Sequence, residues 1–410
     1  MTTTAPDTDL LAVPATAAAE VEFVSQIHLA PSTELHPVPT RGIDPAYLKR
    51  YVRALEDAEF DYTLVPYGSS GADSFVVASA VGQLSEKLKT VVAVRPNTVF
   101  PLVAAQQLAT LDQLTEGRTL IHLISGGSDA EQARQGDYLD KDRRYARTTE
   151  FLQLLRRAWT ERQPFSHAGE FYRFDDFGPG FPTYSGEAIP ISIGGQSDAA
   201  FKLGGELADV FSFWGEPLAE IRSQLDRLDG IAAAAGRADR PRIWVTFRPI
   251  IAATEELAWQ KAYDYVERIG RTHREGSYFM RGFNRGVGSP QNVGSQRALE
   301  FASRQEVYDR ALWTRTAAAT NAGGAATALV GTPETVAAAI LDYVDLGASL
   351  VSIRGYDNLN DTIDYGRTVL PLVRQELAHR KVTGQRGRLQ ADHPGALREG
   401  FDPAALAGVG

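Results

Sequence analysis

Short apolar runs alternate along the chain with longer segments in which apolar positions recur at helical spacing. Eight of the runs have the length and the β-branched content of buried strands. They are Glu22–Ile27, Tyr62–Val65, Thr90–Val94, Leu120–Ile124, Ile191–Ile193, Val210–Phe213, Ile243–Ile251 and Ser349–Arg354. Because helical segments separate them, the pattern favours a closed barrel over an open sheet. The sequence therefore predicts an α/β fold, a TIM (β/α)8 barrel with insertions.

The segments between the strands carry apolar residues three or four positions apart, as amphipathic helices do. The predicted helices are Pro45–Ala58, Ser74–Leu84, Pro101–Leu114, Tyr145–Thr160, Ser197–Gly204, Leu218–Gly236, Glu255–Ile269, Thr335–Leu346 and Asn360–Leu377. Barrels of this kind often run this long as one unit. Residues 21–380 are therefore predicted to form a single catalytic domain.

Four segments depart from the alternation. Residues 1–20 are rich in Thr, Ala and Pro, which predicts a flexible tail. Residues 381–410 are polar and punctuated by Gly and Pro, which predicts a second tail or an arm lying on a partner subunit. Residues 163–190 combine aromatic side chains with Pro and Gly and predict a small strand-containing excursion. Residues 271–324 form a longer insertion, which favours a lid, with a passive surface loop as the alternative.

Composition narrows the range of partners. The chain has 410 residues, of which 43% are hydrophobic and 23% charged, as in soluble globular enzymes. Its net charge of −9 disfavours nucleic acid and anionic membranes, although it allows a local basic pocket. The absence of cysteine excludes disulfides, thiolate metal sites and cysteine nucleophiles. No apolar run has the length of a membrane span, and the first 20 residues lack signal-peptide features, so a cytoplasmic location is expected.

Two strand ends carry small residues that suit a phosphate, and the active sites of TIM barrels lie at such ends. Ser125–Ser128 follow the fourth strand, and Gly194–Ser197 follow the fifth and open a helix. A helix N-terminus offers free N–H donors to a phosphate, although Ser197 is equally typical of a simple helix cap. Lys141 and Tyr145 provide a charge and a hydroxyl for the same ligand, with a solvated face and packing as the alternative.

Other strand ends carry candidates for the reacting side of the site. His28 follows the first strand and is a candidate for acid–base chemistry or ligand contact. Asn97 follows the third strand with an amide able to face a ligand. Trp214 and Tyr356 follow the sixth and eighth strands, where packing is the alternative to a functional role. Arg248 lies within the seventh predicted strand, so an inward-pointing guanidinium needs an anionic partner. The chain shows no metal-ligand spacing, no Ser-His-Asp order and no Gly-rich nucleotide motif.

Several motifs occur together in the order in which one enzyme family carries them. They are Val94-Arg95-Pro96, Ala104-Ala105-Gln106, Ala109–Asp112, Gly117-Arg118 with Ile121–Gly126, Arg144-Tyr145, Gly194–Asp198, Trp214–Pro217, Gly324–Gly331 and Gly355-Tyr356. Through these motifs, over residues 22–377, the chain resembles the bacterial-luciferase-like flavin-dependent monooxygenases, and within them the alkanesulfonate monooxygenase group.

The resemblance implies a barrel that binds FMN. In such enzymes a separate NAD(P)H-dependent reductase supplies reduced FMN (FMNH2). The reduced flavin and O2 form a C4a-(hydro)peroxyflavin, or an N5-peroxy species in some relatives, which oxygenates a small organic substrate. The resemblance also implies a homodimer or homotetramer, and it identifies the insertion with the mobile lid of the family.

The motifs assign residues to the two sides of the site. The residues expected around the flavin and its phosphate are Asn97, Ser125, Lys141, Tyr145, Gln196 and Ser197. Lys141 replaces the usual His of the family. The residues expected to be catalytic, on the substrate side, are His28, Trp214, Arg248 and Tyr356.

Four positions depart from the sulfonate-cleaving relatives. Gly71 replaces a Cys, Ile250 a His, Ala322 the lid-end Arg that clamps the sulfonate, and His122 the usual Asn. Losing an imidazole and a guanidinium removes charge-assisted contacts to an anion. Compensation by the nearby Arg315 is the open alternative. A neutral, more apolar or larger substrate is therefore expected instead of a simple alkanesulfonate.

Two alternatives to a monooxygenase stay open. A deazaflavin (F420)-dependent oxidoreductase on the same barrel exchanges hydride without oxygen chemistry. A non-redox barrel protein, either a binding module or a hydrolase, uses no flavin.

Overall fold

Eight parallel strands close into a barrel in the computed structural model, which describes residues 20–38, 42–274, 290–323 and 327–406. The barrel strands, labelled β1 to β8 in chain order, are Glu22–Gln26, Tyr62–Val65, Lys89–Val94, Thr119–Leu123, Ile191–Gly194, Val210–Trp214, Arg242–Phe247 and Ala348–Ile353. Each strand pairs with its neighbours along the chain, and β1 pairs with β8 to close the ring. The predicted TIM barrel is therefore confirmed.

Helices lie between the barrel strands. In chain order, α1 to α14 are Pro45–Asp57, Ser74–Leu84, Pro101–Leu114, Asp129–Ala133, Lys141–Thr160, Asp198–Leu207, Leu218–Ala234, Glu255–Arg274, Val293–Arg304, Arg315–Ala319, Pro333–Val344, Asn358–Arg367, Val369–Thr383 and Leu389–Asp392. The α5 helix begins four residues before the predicted start because the Asp140 side chain caps it by accepting from the Arg143 backbone N–H. The single helix predicted at the end of the domain is two helices, α12 and α13, which meet at Thr368.

Side chains fill the barrel and its outer layer separately. One residue from each of seven barrel strands contributes to a cluster inside the barrel: Val24, Tyr62, Val91, Leu120, Val210, Trp244 and Leu350. A larger cluster packs the outer faces of the strands against the surrounding helices. Burial on both faces explains why the strands read as continuous apolar runs in the sequence.

The seventh predicted strand is divided in the structure. β7 ends at Phe247, and Ile250–Ile251 leave the barrel to pair with Ala328–Gly331 in a second, four-stranded sheet. Leu312–Trp313 and Val307–Tyr308 complete that sheet. Pro249 has no backbone N–H to donate, which fits the break between the two strands.

The second sheet carries the described part of the 271–324 insertion. Helices α9 and α10 belong to this part, whereas residues 275–289 lie outside the described residues. The 163–190 segment holds an antiparallel hairpin of Phe165–Ala168 with Arg173–Phe177.

The chain after α13 packs on its own barrel as far as residue 406. Arg310 donates hydrogen bonds to the carbonyl oxygens of Gln390 and His393, both at 2.7 Å. The Phe401 ring lies 5.6 Å from the Trp259 ring. Most of the predicted N-terminal tail lies outside the described residues, and the division into one domain with two tails stays a prediction. Within the described ranges, no helix has the length and apolar character that crossing a membrane requires.

Candidate active site

A cleft of about 660 Å³ opens at the carboxyl ends of the barrel strands. The loops after β2 to β6 form its walls, and Gln291–Ser295 of the insertion close one side. Six of the predicted site residues line it: Ser125, Lys141, Tyr145, Gln196, Ser197 and Trp214. Residues from distant parts of the sequence therefore lie together at the end of the barrel where TIM barrels have their active sites.

One end of the cleft is shaped by the turn between β5 and α6. Gly195 has a φ of +136°, and a Cβ placed on it would lie 2.8 Å from the Tyr145 hydroxyl and 2.9 Å from the Ala200 Cβ. Only glycine fits this position without strain. The Ser197 hydroxyl caps α6 by accepting from the Ala200 backbone N–H at 3.3 Å. The capping role and a ligand-facing position thus coexist at Ser197, which lines the cleft.

Tyr145 lies against this turn from the side of α5. Burial raises the pKa of its hydroxyl, and a hydrogen bond with Ser197 acts in the opposite direction. Because the pKa is raised overall, the hydroxyl keeps its proton at neutral pH and can donate to an anion.

Two cationic side chains at the start of α5 differ in availability. The Arg144 guanidinium is 3% exposed and is held by the Ser125 carbonyl at 3.1 Å and by the Asp129 carboxylate at 2.9 Å. Lys141 also lines the cleft, and among the described residues it has no ion pair and no hydrogen bond from its ammonium. Lys141 is therefore the cation that a ligand in the cleft can reach without breaking an existing pair.

Two amide side chains carry buried atoms without partners. The Gln196 Nε2 donates to Glu216 and, at 3.1 Å, to Gln224, whereas its Oε1 is buried without a hydrogen bond among the described residues. Both the Nδ2 and the Oδ1 of Asn97 are buried and equally unpartnered there, although Asn97 does not line the cleft. A buried amide without a partner points to a ligand or water at that place.

The floor of the cleft is formed partly by His122. Its Nδ1 lies 3.1 Å from the Ser192 hydroxyl, and its ring lies 5.5 Å from Trp244. Burial lowers the pKa of His122 to about 4. The imidazole is therefore neutral near pH 7 and presents a polar, uncharged surface to the cleft.

Arg248, Tyr356 and His28 form a second group, which lies outside the lining of this cleft. The Arg248 guanidinium forms an ion pair with Glu34 at 2.8 Å, and both side chains are only 5% exposed. It also donates to the Gly355 carbonyl at 3.1 Å and stacks 3.7 Å above the Tyr356 ring. Burial alone would lower the pKa of Arg248, but Glu34 reverses this and the pKa is raised.

The charges near His28 affect the protonation of its imidazole. Burial, followed by the positive charges of Arg354 and Arg248, lowers its pKa to about 3, although Glu34 opposes the shift. Its ring packs edge-on against Tyr51 at 5.7 Å. The Nε2 is buried without a hydrogen-bond partner among the described residues. A neutral imidazole with a free nitrogen can accept or donate one hydrogen bond.

A smaller side chamber of about 450 Å³ adjoins the cleft and shares Pro66, Tyr67 and Arg95 with it. Its apolar lining consists of Ile27, Leu29, Val65, Pro66, Ala72 and Val77. Arg95 is 5% exposed and pairs with Glu131 at 2.8 Å, and its guanidinium lies 4.8 Å above the Tyr67 ring. The chamber is therefore largely apolar, and of the two arginines in its lining Arg95 is buried and paired, whereas Arg134 is exposed.

The four departures from the sulfonate-cleaving pattern fall in different places. Gly71 lines the side chamber and His122 lines the cleft. Ile250 and Ala322 are fully enclosed in apolar clusters. Arg315 is half exposed, lies 3.8 Å from Glu306 and stacks on Tyr263, so in this structure it does not line either cavity.

Sequence reasoning missed the carboxylates that organise the site. Glu34 and Glu131 each pair with a buried arginine, and Glu216 binds Gln196, Gln224 and Arg297. Glu34 lies in a loop and Glu131 on the five-residue helix α4, and neither segment has a periodicity that identifies an inward-pointing acid. The only signal in the sequence was the apolar surroundings of Arg248. They indicated that Arg248 needs an anionic partner but did not indicate which residue provides it.

Comparison with known proteins relates this geometry to an enzyme family. The luciferase-like monooxygenase family matches residues 23–350. A riboflavin lyase solved with modified FMN and its substrate riboflavin is 21% identical, with a TM-score of 0.68 over 94% of this chain and 99% of that chain. EDTA monooxygenase from Chelativorans sp. BNC1 is 17% identical, with a TM-score of 0.65 over 87% of this chain and 94% of that chain.

A coenzyme F420-dependent enzyme shares the same fold. The tetrahydromethanopterin reductase from Methanopyrus kandleri is 18% identical, with a TM-score of 0.61 over 86% of this chain and 99% of that chain. At these identities the solved structures establish a common architecture and leave the cofactor open.

Proposed function

The chain belongs to the luciferase-like monooxygenase family, and on that basis we propose that it is a two-component, FMNH2-dependent monooxygenase. It takes reduced FMN from a separate NAD(P)H-dependent reductase and uses O2 to oxygenate a small organic substrate. The observation that carries this proposal is the end of the cleft at the N-terminus of α6. The turn at Gly195 and the Tyr145 hydroxyl lie together there, and Lys141, which has no ion pair among the described residues, lines the same cleft.

The residues of the cleft fit FMN in three respects. The free N–H groups at the start of α6, with Ser197, Tyr145 and Lys141, suit a phosphate. The buried Oε1 of Gln196, which has no partner among the described residues, offers a hydrogen bond to a polar group of the ligand, and Asn97 keeps its proposed role at the flavin although it lies outside the cleft lining. The cleft volume of about 660 Å³ lies within the range for sites that bind small molecules and cofactors.

Reduced FMN, when bound, supplies the electrons that activate O2. The residues of the chain bind and orient it and keep water away from the reaction. Tyr145 holds its proton at the phosphate end, because its pKa is raised. His122 and His28 remain uncharged near neutral pH, so neither brings an unbalanced charge to the site. The 290–323 part of the insertion covers one side of the cleft, which limits the access of water.

The substrate in this proposal is a neutral organic molecule, which occupies the space next to the flavin. The apolar part of the side-chamber lining supports this, as do the three residues that the chamber shares with the cleft, Pro66, Tyr67 and Arg95. His28, Trp214, Arg248 and Tyr356 keep their proposed role on the substrate side. A homodimer or homotetramer and a cytoplasmic location stay predictions from the sequence.

The main experiment compares reduced cofactors under anaerobic conditions. Calorimetric titration of the protein with reduced FMN and with reduced F420 is expected to show saturable binding of FMN only. Admission of O2 to the FMN complex is then expected to convert neutral candidate substrates to oxygenated products. Binding and turnover with F420 alone would support the deazaflavin alternative, and binding of neither cofactor would support a non-redox protein.

A further inference from the structure

A third cavity, the lower cavity, has a volume of about 460 Å³ and lies at the end of the barrel where the strands begin. Its lining includes the first residue of five barrel strands: Tyr62, Lys89, Thr119, Val210 and Arg242. It shares no lining residue with the cleft, which opens at the carboxyl ends of the strands. The lower cavity is therefore separate from the candidate active site, and its volume is typical of sites that bind small molecules.

Part of the lower cavity is apolar. Tyr62, Leu120 and Val210 line it and also belong to the cluster that fills the inside of the barrel. Ala188 and Pro190, from the segment before β5, add apolar surface to the lining. Because contact with these side chains removes apolar surface from water, the cavity favours a ligand with a hydrocarbon or aromatic body.

Two cations of the lower cavity share a single carboxylate. Glu22, the first residue of β1, lies 2.9 Å from the Lys89 ammonium and 2.6 Å from the Arg242 guanidinium. Lys89 begins β3 and Arg242 begins β7, so Glu22 links two strands that lie on opposite sides of β1. One carboxylate balances only one of the two positive charges. The group therefore carries an excess positive charge in a chain whose net charge is −9.

The third cation, Arg156 of α5, has a carboxylate of its own. Its Nη2 donates to both oxygens of Asp209, at 3.0 and 3.1 Å, and Asp209 also accepts from the Ile191 backbone N–H at 2.8 Å. Among the described residues, Arg156 and Arg242 each use only Nη2 in hydrogen bonds. The two arginine side chains are 31% and 48% exposed, so their other N–H groups are accessible to an anionic ligand.

We propose that the lower cavity is a second binding site, which takes a small organic monoanion with an apolar or aromatic body. The body packs against Tyr62, Leu120 and Val210, and the anionic group binds at Arg242 and Lys89, where the excess positive charge lies. The ligand of this site is not the molecule that is oxygenated, because it binds at the other end of the barrel. Since it contacts the beginnings of several strands, the bound ligand stabilises the closed barrel.

The test uses benzoate and benzamide, which share an aromatic ring and differ in charge. Both are titrated by calorimetry into the full chain without flavin. The wild-type protein is expected to bind benzoate at least about tenfold more tightly than benzamide, which corresponds to about 1.4 kcal/mol. Benzoate is also expected to raise the Tm as its concentration increases, because it binds the folded protein.

Two substitutions with opposite effects on the charge locate the bound anion. Arg242→Met removes the excess positive charge and is expected to weaken benzoate binding about tenfold, whereas Arg242→Lys keeps the charge and is expected to retain most of the affinity. Glu22→Gln leaves both cations without their carboxylate and is expected to strengthen benzoate binding about tenfold. General damage to the fold would weaken binding in every variant, so opposite changes identify an effect of charge. Arg53→Met, which breaks an exposed pair with Asp57 on α1, is the matched control and should bind benzoate as wild type does.

Equal affinities of the wild-type protein for benzoate and benzamide would overturn the proposal. So would unchanged benzoate binding in Arg242→Met, which would place the anion elsewhere, or weaker binding in Glu22→Gln. The wild-type comparison needs no variant, so the proposal stays testable if one of the variants does not fold. Because no titration involves flavin or O2, the outcome is independent of the proposed oxygenase activity.

Discussion

Arg297 forms a two-point ion pair with Glu216, with Nη2 2.6 Å from Oε2 and Nε 3.0 Å from Oε1. Arg297 lies on α9 in the insertion, and Glu216 lies just beyond β6. Glu216 is 2% exposed and also accepts hydrogen bonds from Gln196 and Gln224. The Glu216 carboxylate therefore links α9 of the insertion to Gln196, which lines the cleft.

Replacing Arg297 with Gln is expected to loosen α9 from the barrel mouth. The loss of charged hydrogen bonds corresponds to about 1.5–3 kcal/mol in the free energy of local opening. Hydrogen exchange over residues 293–304 is expected to become faster. In the proposed FMN-dependent reaction, more H2O2 should form for each O2 consumed, because water reaches the open site. Arg304→Gln, which breaks an exposed pair with Glu300 on the same helix, is the matched control. Unchanged exchange and unchanged coupling in Arg297→Gln would show that the ion pair does not hold the insertion closed.

Tyr145→Phe is expected to weaken FMN binding by about 1–3 kcal/mol through the loss of one hydrogen bond to the phosphate. Riboflavin has the same ring system without the phosphate, so its affinity is expected to stay constant. Calorimetric titration with both ligands separates a phosphate contact from a general disturbance. Tyr138→Phe is the control because Tyr138 is 84% exposed. An equal loss of both affinities would place Tyr145 away from the phosphate.

Lys141→Met is expected to reduce FMN affinity by about 1–3 kcal/mol at low ionic strength. Salt screens charge interactions in a cleft open to water, so the difference from wild type should shrink as the salt concentration rises. The measurement is a series of FMN titrations at increasing salt. Lys202→Met, an exposed lysine of α6, serves as the control. The same salt dependence in Lys141→Met and wild type would exclude Lys141 as a phosphate ligand.

The free energy of unfolding is expected to decrease as the pH is lowered below about 6.5, because His122 is buried in its neutral form. Burial lowers the pKa of His122 from 6.5 to about 4, so between these values the unfolded chain binds a proton that the folded protein does not. The contribution of His122 to the free energy of unfolding is fully present above pH 6.5. It declines by about 1.4 kcal/mol for each pH unit below that value. His122→Asn removes this contribution, so its unfolding free energy should drop about 2 kcal/mol less than that of wild type between pH 7 and pH 5.

Urea unfolding at the two pH values measures this difference. His28, whose pKa is lowered to about 3, remains in the variant and keeps part of the decline. His379→Asn, at an exposed position, is the control and should follow wild type. Parallel pH profiles for His122→Asn and wild type would contradict a neutral, buried His122.

The barrel could be predicted from the sequence because each barrel strand is buried on both faces. That burial produces an apolar run, and the runs locate all eight strands within a few residues. The break at Pro249 was missed, because Ile243–Ile251 reads as one apolar run although Ile250 and Ile251 belong to another sheet. The pattern of apolar residues indicates which residues are buried, but it does not indicate which sheet a residue joins.

The candidate site was predictable where it depends on backbone turns and less so where it depends on side-chain pairs. Gly194–Ser197 lies directly after a strand, and the topology alone brings it to the barrel mouth. The pair of Arg248 and Glu34 joins loops and strands far apart in the chain, and neither residue belongs to a pattern that indicates the other. Such pairs depend on the final packing of the whole fold, which a single sequence does not display.

The seam of the barrel has a consequence for synthesis of the protein. Glu22 of β1 is paired with Leu350 of β8, so the first and the last strands of the ring are mutual neighbours. On the ribosome, β1 therefore has an open edge until nearly the whole chain has emerged. Unpaired edges attract other strands, so the risk of misassembly between nascent chains lasts until the end of translation. A chaperone that shields this edge would have to remain bound until β8 is released.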